Sequence, residues 1–209
     1  ETYRLAAFDD TGALIGLLPM VRLKSIMFGD FMVSMPYFNY GGPVGCSSLV
    51  ETELMHAAGA MAQKKGLSHI EFRGEVERGS DWALRTDKVT MELVLPKDID
   101  TLWSNFGGKL RAQIKRPQKE GATEQFGGIE LLDGFYDVFA RNMRDLGTPV
   151  YPKRFFRSLL VQFPEETRIH LVRDGDRPVA AGFTMRKSAG VTEIPWASSL
   201  REYNRWSVN

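Results

Sequence analysis

A cluster of basic residues carries the clearest chemical signal in the 209-residue sequence. Guanidinium and ammonium groups bind phosphate through charge-assisted hydrogen bonds. Arg111 and Lys115 are four residues apart, so on a helix they share one face and repel each other, which favours an anionic partner. The pattern predicts a clamp for the backbone of tRNA or for the diphosphate of a nucleotide- or lipid-linked sugar, and a solvated helix face is the alternative. The cluster consists of Lys109, Arg111, Lys115, Arg116 and Lys119.

Two prolines inside apolar runs predict where a substrate cleft opens. Pro195 has no N–H group, so the strand that contains it must lie at a sheet edge or form a bulge, and a shift of 159 positions places Pro36 on Pro195. A substrate carbonyl in the resulting gap would accept a backbone hydrogen bond. Tyr151 and Arg154, in a loop stiffened by prolines, are predicted to approach the same cleft. The residues beside the two prolines that are candidates for holding the acceptor are Tyr37, Asn39, Tyr40, Trp196, Ser198 and Ser199.

Each of these candidates also has a purely structural interpretation. Tyr37 and Trp196 are large apolar side chains that equally suit a core. Ser198 and Ser199 are typical of a helix cap or a turn, and the loop around Tyr151 is compatible with surface packing. The sequence leaves both interpretations open.

The sequence predicts neither a catalytic triad nor a metal site. His56, His69 and His170 are widely spaced, and the single cysteine, Cys46, provides no cysteine-based ligand set. Transfer from an activated ester mainly needs positioning, a donor to the developing oxyanion and removal of an amine proton, so this pattern is compatible with acyl transfer. The sequence does not choose between the possible proton acceptors, which are Asp137, Asp145, Glu193 and Glu202.

The periodicity of apolar residues predicts the elements that position these groups. Leu102, Phe106, Leu110 and Ile114 recur every four residues and predict a buried helical stripe, weakened at Gly107-Gly108. The other expected elements are a hairpin at 2–23, a strand at 31–40, a helix capped by Ser47 or Ser48, a strand at 68–73, a charge- and glycine-rich loop at 74–80, a strand at 90–95, helices around 135–143 and 155–163, a hairpin with its turn at 174–176, and a strand at 191–197.

The two hairpins share a pattern that suggests an internal duplication. A shift of 166 positions places Leu5 on Leu171 and Gly16 on Gly182 without a gap. Because hairpins are common, chance similarity is the alternative. The duplication predicts that Thr2–Met20 and Arg168–Arg186 are equivalent hairpins.

Composition sets broad limits on the class of protein. The chain is 43% hydrophobic and 25% charged, with a net charge of +1, so any affinity for anions must come from local clusters. One cysteine and no apolar run long enough to span a bilayer favour a cytoplasmic protein that is not integral to the membrane. The chain begins inside a predicted strand and stops without a closing element, which predicts a fragment truncated at both ends.

Three segments carry a family resemblance, and they are KLRAQIKRPQKEG, TPVYPKRFFRSLL and EIPWASSLREYN. They resemble the FemAB-related proteins, which are relatives of the Fem peptidoglycan aminoacyltransferases with two N-acetyltransferase-like (GNAT-like) units. They are similar, more narrowly, to the subgroup that accompanies exosortase (PEP-CTERM) and exopolysaccharide systems. The resemblance implies an α/β fold with GNAT-like mixed sheets flanked by helices, in two related units at 1–95 and 96–209.

The resemblance also implies an activity, which is transfer of an acyl or aminoacyl group to an amine. It implies no permanently bound cofactor, with aminoacyl-tRNA or acyl-CoA as co-substrate and a nucleotide- or lipid-linked cell-envelope precursor as acceptor. Neither unit contains a complete glycine-rich pyrophosphate loop, because no lysine or arginine lies between Lys24 and Lys64 and no glycine follows Gly190. A CoA-dependent N-acetyltransferase and a non-catalytic polyanion-binding or polysaccharide-assembly protein are the alternatives, and the sequence leaves the oligomeric state open.

Overall fold

The computed structural model describes residues 1–74, 82–187 and 190–208. The chain forms two compact units, Glu1–Met91 and Glu92–Asn209, and each contains its own mixed arrangement of strands and helices. The α/β fold class predicted from the sequence is confirmed. Most of the predicted loop at 74–80 lies outside the described residues. No helix in the described ranges is both long enough and apolar enough to cross a bilayer.

Unit 1 is built on an antiparallel meander of three strands, β1 (Thr2–Phe8), β2 (Leu14–Ser25) and β3 (Gly29–Val33). A short strand, β4 (Val44–Gly45), pairs with β2, and β5 (Ile70–Glu71) pairs in parallel with β3. The predicted first hairpin and the strand after the helix are therefore confirmed.

The helix α1 (Ser48–Lys64) covers one face of this sheet. It begins where the side chain of Ser47 accepts a hydrogen bond from the Val50 N–H, at 3.4 Å, as a helix cap does. Its buried face packs on Leu18, Met20 and Met32 of the sheet. Gly16 permits the close approach of helix and sheet, because a Cβ atom there would lie 2.6 Å from Cγ1 of Val50.

The predicted strand at 31–40 is wrong beyond Val33. The chain leaves the sheet there, and Met35 and Tyr37 adopt left-handed backbone conformations, with φ of 46° and 78°. Two left-handed residues out of three are incompatible with a continuous β-strand, whose residues have negative φ. Pro36 therefore lies in a turn, not inside a strand, and it does not correspond structurally to Pro195.

The predicted strand at 90–95 is also wrong. Residues 89–95 form no ladder with any described strand, and the large apolar side chains of this segment are exposed. Alternating apolar residues favour a strand but do not form one alone. A strand forms only where a neighbouring element supplies hydrogen bonds and a packing surface.

Unit 2 begins with two helices, α2 (Ile99–Asn105) and α3 (Gly108–Lys119), which are separated at Phe106 and Gly107 as the glycine pair predicted. The expected buried stripe is wrong. Neither helix has a fully buried residue, and Leu110 and Ile114 are 44% and 41% exposed. The four-residue repeat of apolar side chains is present, but no described element covers those side chains completely.

A four-stranded antiparallel sheet forms the centre of unit 2. Its order is β6 (Thr123–Gly127), β7 (Thr167–Asp174), β8 (Arg177–Arg186) and β9 (Thr192–Ser199). The last three strands were predicted, whereas β6 was not. Its four residues 123–126 are all exposed, so it lacks the alternation that identifies a half-buried strand.

The helices α4 (Leu132–Asp145) and α5 (Lys153–Gln162) cover one face of this sheet, in the positions predicted for them. They follow a 3-10 helix at Ile129–Leu131, and another 3-10 helix, Arg201–Trp206, follows β9. Phe135, Phe156 and Phe183 are fully buried, and they form the centre of an aromatic core between α4, α5 and β8.

The ungapped alignment of the two hairpins is wrong by three residues. Leu5 pairs with Leu18, so a shift of 166 requires Leu171 to pair with Thr184, but Leu171 pairs with Ala181. The difference arises in the turns, because five residues separate β1 from β2 and only two separate β7 from β8. Both units do contain a three-stranded antiparallel meander, and their relationship by duplication stays a prediction.

An ion pair on the β2–β3 hairpin makes the stability of unit 1 sensitive to acid. Arg22 donates from Nε and Nη2 to the two carboxylate oxygens of Asp30, each at 2.7 Å, and this hydrogen bonding lowers the pKa of Asp30. A lowered folded-state pKa contributes stability above the unfolded pKa, and that contribution disappears as the pH falls through the folded value.

We therefore expect Asp30→Asn to remove part of the acid sensitivity of the fold. Its thermal midpoint should be lower than that of the wild type near pH 7 and should change less on going to about pH 3. Asp10→Asn, at an exposed turn of the same unit, is the matched control. Equal acid sensitivity in the wild type and in Asp30→Asn would show that the pair does not contribute.

Candidate functional site

The polar face of α4 borders a cavity of about 460 Å³ in unit 2. The opposite face of the helix packs against the sheet through Phe135, Val138 and Phe139, which fixes the helix in place. The start of β8 and the residue that follows β9 complete the walls. The lining residues are Tyr136, Asp137, Val138, Ala140, Arg141, Arg144, Arg177, Pro178 and Leu200.

Three arginines and one aspartate give this cavity a net positive lining. Asp137, Arg141 and Arg144 occur at positions i, i+4 and i+7, so they lie along one face of α4. Arg177 reaches the cavity from the start of β8. Because guanidinium groups donate several hydrogen bonds in one plane, the cavity suits a phosphate or carboxylate group.

Two of the three arginines already have carboxylate partners. Arg177 donates from Nη2 to Oε1 of Glu202 at 2.6 Å, and Nη2 of Arg144 lies 3.1 Å from the carboxylate of Asp145. The hydrogen bond to Glu202 from its own backbone N–H, followed by the bond from Arg177, lowers the pKa of Glu202. Arg141 has no salt-bridge partner within residues 1–74, 82–187 and 190–208, so it is available to an anion.

The structure also separates the four carboxylates that the sequence offers as possible proton acceptors. Asp145 pairs with Arg144, Glu202 with Arg177, and Glu193 with Lys187 at 3.2 Å. Asp137 lines the cavity, is exposed, and has no salt bridge in the part of the chain that the structure describes. Of the four, Asp137 is therefore the candidate proton acceptor at this cavity.

The 3-10 helix after β9 closes this end of the unit. Arg201 donates to the backbone carbonyl of Asp145, at the end of α4, and Tyr203 donates to the carboxylate of Asp174 at 2.7 Å. That hydrogen bond raises the pKa of Tyr203. A helical turn held by side chains therefore occupies the position after β9, where a glycine-rich phosphate loop would otherwise provide backbone N–H groups.

Trp196 is in the core, so the expectation that it walls an open cleft is wrong. The residue is 7% exposed, and its ring lies edge-to-face against Phe155, Phe156 and Phe183, with centroid distances of 5.5, 5.1 and 5.4 Å. The core-packing interpretation therefore describes Trp196. Tyr151 lies next to it, with a centroid distance of 6.3 Å.

The backbone prediction for Pro195 is confirmed. β9 is the last strand of its sheet, and Ile194 and Pro195 together face the single residue Thr184, which is a β-bulge. The missing N–H group of Pro195 therefore costs no ladder hydrogen bond.

Ser198 and Tyr151 are both connected to α4. Ser198 is 5% exposed, and its Oγ accepts a hydrogen bond from Nδ2 of Asn142 at 3.1 Å. The backbone carbonyl of Tyr151 accepts a hydrogen bond from the hydroxyl of Tyr136, a cavity residue, at 3.0 Å. These two residues therefore support the helix that borders the cavity. Ser199 is half-buried at the end of β9, and Arg154 is exposed near the start of α5.

The remaining candidates lie elsewhere. Tyr37 is 45% exposed, Asn39 is exposed and Tyr40 is half-buried, in the irregular segment after β3 of unit 1. The basic cluster lies on α3 of unit 2, beside the 3-10 helix that carries Glu202. Arg111 is half-buried, and the other four members are exposed, with Nζ of Lys115 5.3 Å from the ring centre of Trp103. Binding roles for all these residues stay predictions.

The basic cluster on α3 provides a direct test of anion binding. We expect charge reversal in the Arg111→Glu/Lys115→Glu variant to weaken binding of an anionic co-substrate, with the largest difference from the wild type at low salt. Binding is measured by fluorescence anisotropy at two ionic strengths. Unchanged affinity at both would leave the solvated helix face as the correct interpretation.

A family model for the acetyltransferase (GNAT) domain matches residues 104–209, which is just over half of the chain. The chain belongs to this acetyltransferase family. The matched stretch contains the central sheet of unit 2, α4, α5 and every residue that lines the cavity. The acyltransferase class implied by the sequence is thus supported. GNAT acetyltransferases use acyl-CoA as a co-substrate without a permanently bound cofactor.

Two solved structures resemble the whole chain in fold. The crystal structure of FemX aligns with a TM-score of 0.57 and 12% identity, over 99% of this chain and 73% of FemX. The C-terminal domain (DUF2156) of a putative lysylphosphatidylglycerol synthetase from Agrobacterium fabrum aligns with a TM-score of 0.54 and 11% identity, over 98% of this chain and 63% of that one. No curated protein matches the sequence significantly. In the described ranges, no group of three or more histidine, cysteine, aspartate or glutamate side chains is placed to hold a metal ion.

Proposed function

We propose that the chain transfers an acyl or aminoacyl group to an amine, with the acceptor a nucleotide- or lipid-linked precursor of the cell envelope. The observation that carries the proposal is the arginine-lined cavity inside the stretch matched by the GNAT family. The fold similarity to FemX and the three sequence segments of the FemAB-related proteins support the choice of acceptor.

The four charged residues of the cavity each have a role in this proposal. Arg141, with Arg144 and Arg177, binds a phosphate of one substrate through guanidinium groups in place of a backbone loop. Asp137 removes the proton from the attacking amine, which makes the nitrogen a nucleophile. The amine then attacks the acyl carbonyl, the bond to the leaving thiol or hydroxyl breaks, and the leaving group takes up a proton.

We assign the donors for the developing oxyanion to β9, the strand directly before Leu200 in the cavity wall. β9 is an edge strand, so one of its sides presents backbone N–H groups that are not used in the described sheet. A carbonyl oxygen beside this edge accepts such a hydrogen bond, and that bond strengthens as negative charge develops on the oxygen.

The nature of the donor separates this proposal from its nearest alternative. The matched family is one of acetyltransferases, which favours acetyl-CoA as the acyl donor. A CoA-dependent N-acetyltransferase is therefore the second candidate. A 3-10 helix follows β9 in place of a glycine-rich loop, so a phosphate at this position is bound by side chains and not by backbone N–H groups. This arrangement favours aminoacyl-tRNA as the acyl donor.

The test offers both donors to the purified protein. Radiolabelled acetyl-CoA and aminoacyl-tRNA are each incubated with UDP-linked and lipid-linked muropeptide precursors, and with a simple polyamine. Transfer by the wild type from either donor, at a rate that falls at least tenfold in Asp137→Asn, would support acyl transfer at this cavity. The donor from which transfer occurs identifies the class of co-substrate. Arg157→Ala, on the exposed side of α5, is the control. No transfer from either donor would favour the non-catalytic polyanion-binding protein.

A further inference from the structure

Helix α3 presents a row of positive charge to solvent. Lys109, Lys115, Arg116 and Lys119 lie three, three, four and seven residues from Ala112, so these five residues share one face of the helix. All five are exposed. From Lys109 to Lys119 the row is about 15 Å long, because an α-helix rises by roughly 1.5 Å per residue.

No carboxylate neutralises this basic row within residues 1–74, 82–187 and 190–208. None of its four cations forms a salt bridge there. The sequence from 101 to 119 also contains no acidic residue. Because like charges on one helix face repel each other, an anionic partner stabilises the row.

The basic row lies close to the candidate site in unit 2. α3 contacts the 3-10 helix Arg201–Trp206, and Glu202 of that helix is paired with Arg177 in the wall of the cavity. Arg205 of the same 3-10 helix is exposed and forms no salt bridge in the described part of the chain. A partner on the basic row is therefore separated from the cavity by one short helix.

We propose that the basic row of α3 binds the headgroups of an anionic lipid bilayer and holds the cavity near the membrane surface. The choice of occupant rests on the proposed function, in which a lipid-linked acceptor carries its phosphate at that surface. A soluble diphosphate meets one or two of the cations at a time, whereas a plane of lipid phosphates meets the whole row. Each further lysine or arginine near such a plane strengthens the binding.

Nucleic acid is the other polyanion of suitable length, and α3 matches it less well. A single strand is bound by stacking its bases on exposed aromatic rings. The rings next to the basic row are those of Trp103 and Phe106, which are half-buried and lie edge-to-face, with Nζ of Lys115 over Trp103. The major groove of duplex RNA is too deep and narrow for side chains to read. These features favour a flat surface of phosphates.

Vesicle flotation of the intact 209-residue chain tests this proposal without any turnover. The wild type is expected to float with vesicles of phosphatidylcholine and phosphatidylglycerol, to stay in solution with phosphatidylcholine alone, and to be released as salt is raised. The Lys109→Gln/Lys115→Gln/Lys119→Gln variant should bind the anionic vesicles at least about tenfold more weakly. Glutamine has a helix propensity close to that of lysine, so α3 should stay folded.

The matched control removes three positive charges from unit 1. Arg4→Gln/Lys64→Gln/Lys88→Gln lowers the net charge by the same amount at three exposed positions, and this variant should bind vesicles like the wild type. An equal loss of binding in both triple variants would overturn the proposal, because the net charge and not α3 would then be responsible.

A fluorophore at the centre of the basic row provides a second readout. Ala112→Cys, labelled with an environment-sensitive dye in a Cys46→Ser background, should show a blue-shifted emission when anionic vesicles are added. No flotation of the wild type, or flotation without this shift, would overturn the proposal. Tighter binding of an RNA hairpin than of anionic vesicles, measured with the same label, would assign the row to nucleic acid instead.

The membrane proposal and the proposed function can fail separately. Transfer to a soluble UDP-linked acceptor needs no bilayer, and vesicle flotation needs no acyl donor. Transfer without vesicle binding would overturn only the membrane proposal, whereas vesicle binding without transfer would support it and count against the proposed function.

Discussion

Replacing Trp196 by alanine is expected to lower the free energy of unfolding by about 3–5 kcal/mol, which is the range for an aromatic residue removed from a packed core. The ring is 7% exposed and lies edge-to-face against three buried or half-buried phenylalanines, so the substitution leaves a cavity that α5 and β8 cannot fill without moving. Urea unfolding followed by circular dichroism measures the change.

Phe126→Ala is the matched control for this experiment. Phe126 is also an aromatic residue on a strand of the same sheet, but it is 73% exposed, so its loss should change stability by less than about 0.5 kcal/mol. If Trp196→Ala keeps the stability of the wild type and loses activity, the ring contacts substrate after all, and the cleft that Pro195 suggested in the sequence exists in solution.

Replacing Arg141 by alanine is expected to raise the KM for the anionic co-substrate by about tenfold to a hundredfold, the value of one charge-assisted hydrogen bond. Stability should change little, because Arg141 has no salt bridge in the described part of the chain and acts on Glu202 only through its charge, as the last of the causes that lower the pKa of Glu202. Steady-state kinetics with the donor identified above, together with a thermal melt, separate the two effects.

Arg157→Ala removes an exposed arginine from α5 and should leave KM unchanged. A KM for Arg141→Ala equal to that of the wild type would exclude this cavity as the phosphate site, and the basic cluster on α3 would become the stronger candidate. Because the two sites carry separate arginines, combining Arg141→Ala with the α3 charge reversal shows whether they bind the same group.

The elements around the central sheet of unit 2 could be predicted because their sequence patterns are local. Alternation marks β7 and β8, a two-residue turn joins them, and apolar stripes mark α4 and α5. The position of Pro195 at an edge and a bulge also followed from one missing N–H group.

Other features depend on partners that the sequence does not display. The stripe of Leu110 and Ile114 and the alternation at 90–95 are the patterns of buried elements, yet no described element covers them fully. The end of β3 depends on the left-handed conformations of Met35 and Tyr37, which those residue types do not predict.

The arginine-lined cavity was missed for a different reason. Arg141 and Arg144 have the appearance of ordinary solvated helix residues, and Arg177 joins them only through the fold. One signal was present, since Asp137, Arg141 and Arg144 have the spacing of one helical face. That spacing also occurs on many exposed helices, so it identifies a site only when the opposing wall is known.

The bulge at Pro195 has a consequence for how the protein behaves in concentrated solution. β9 is eight residues long and is the edge strand of its described sheet, and an unpaired edge of this length can pair with the edge of another molecule, which leads to aggregation. A proline without an N–H group and a local bend make such a pairing incomplete. Pro195→Thr should therefore aggregate faster than the wild type in light-scattering measurements, even if the folded monomer is equally stable.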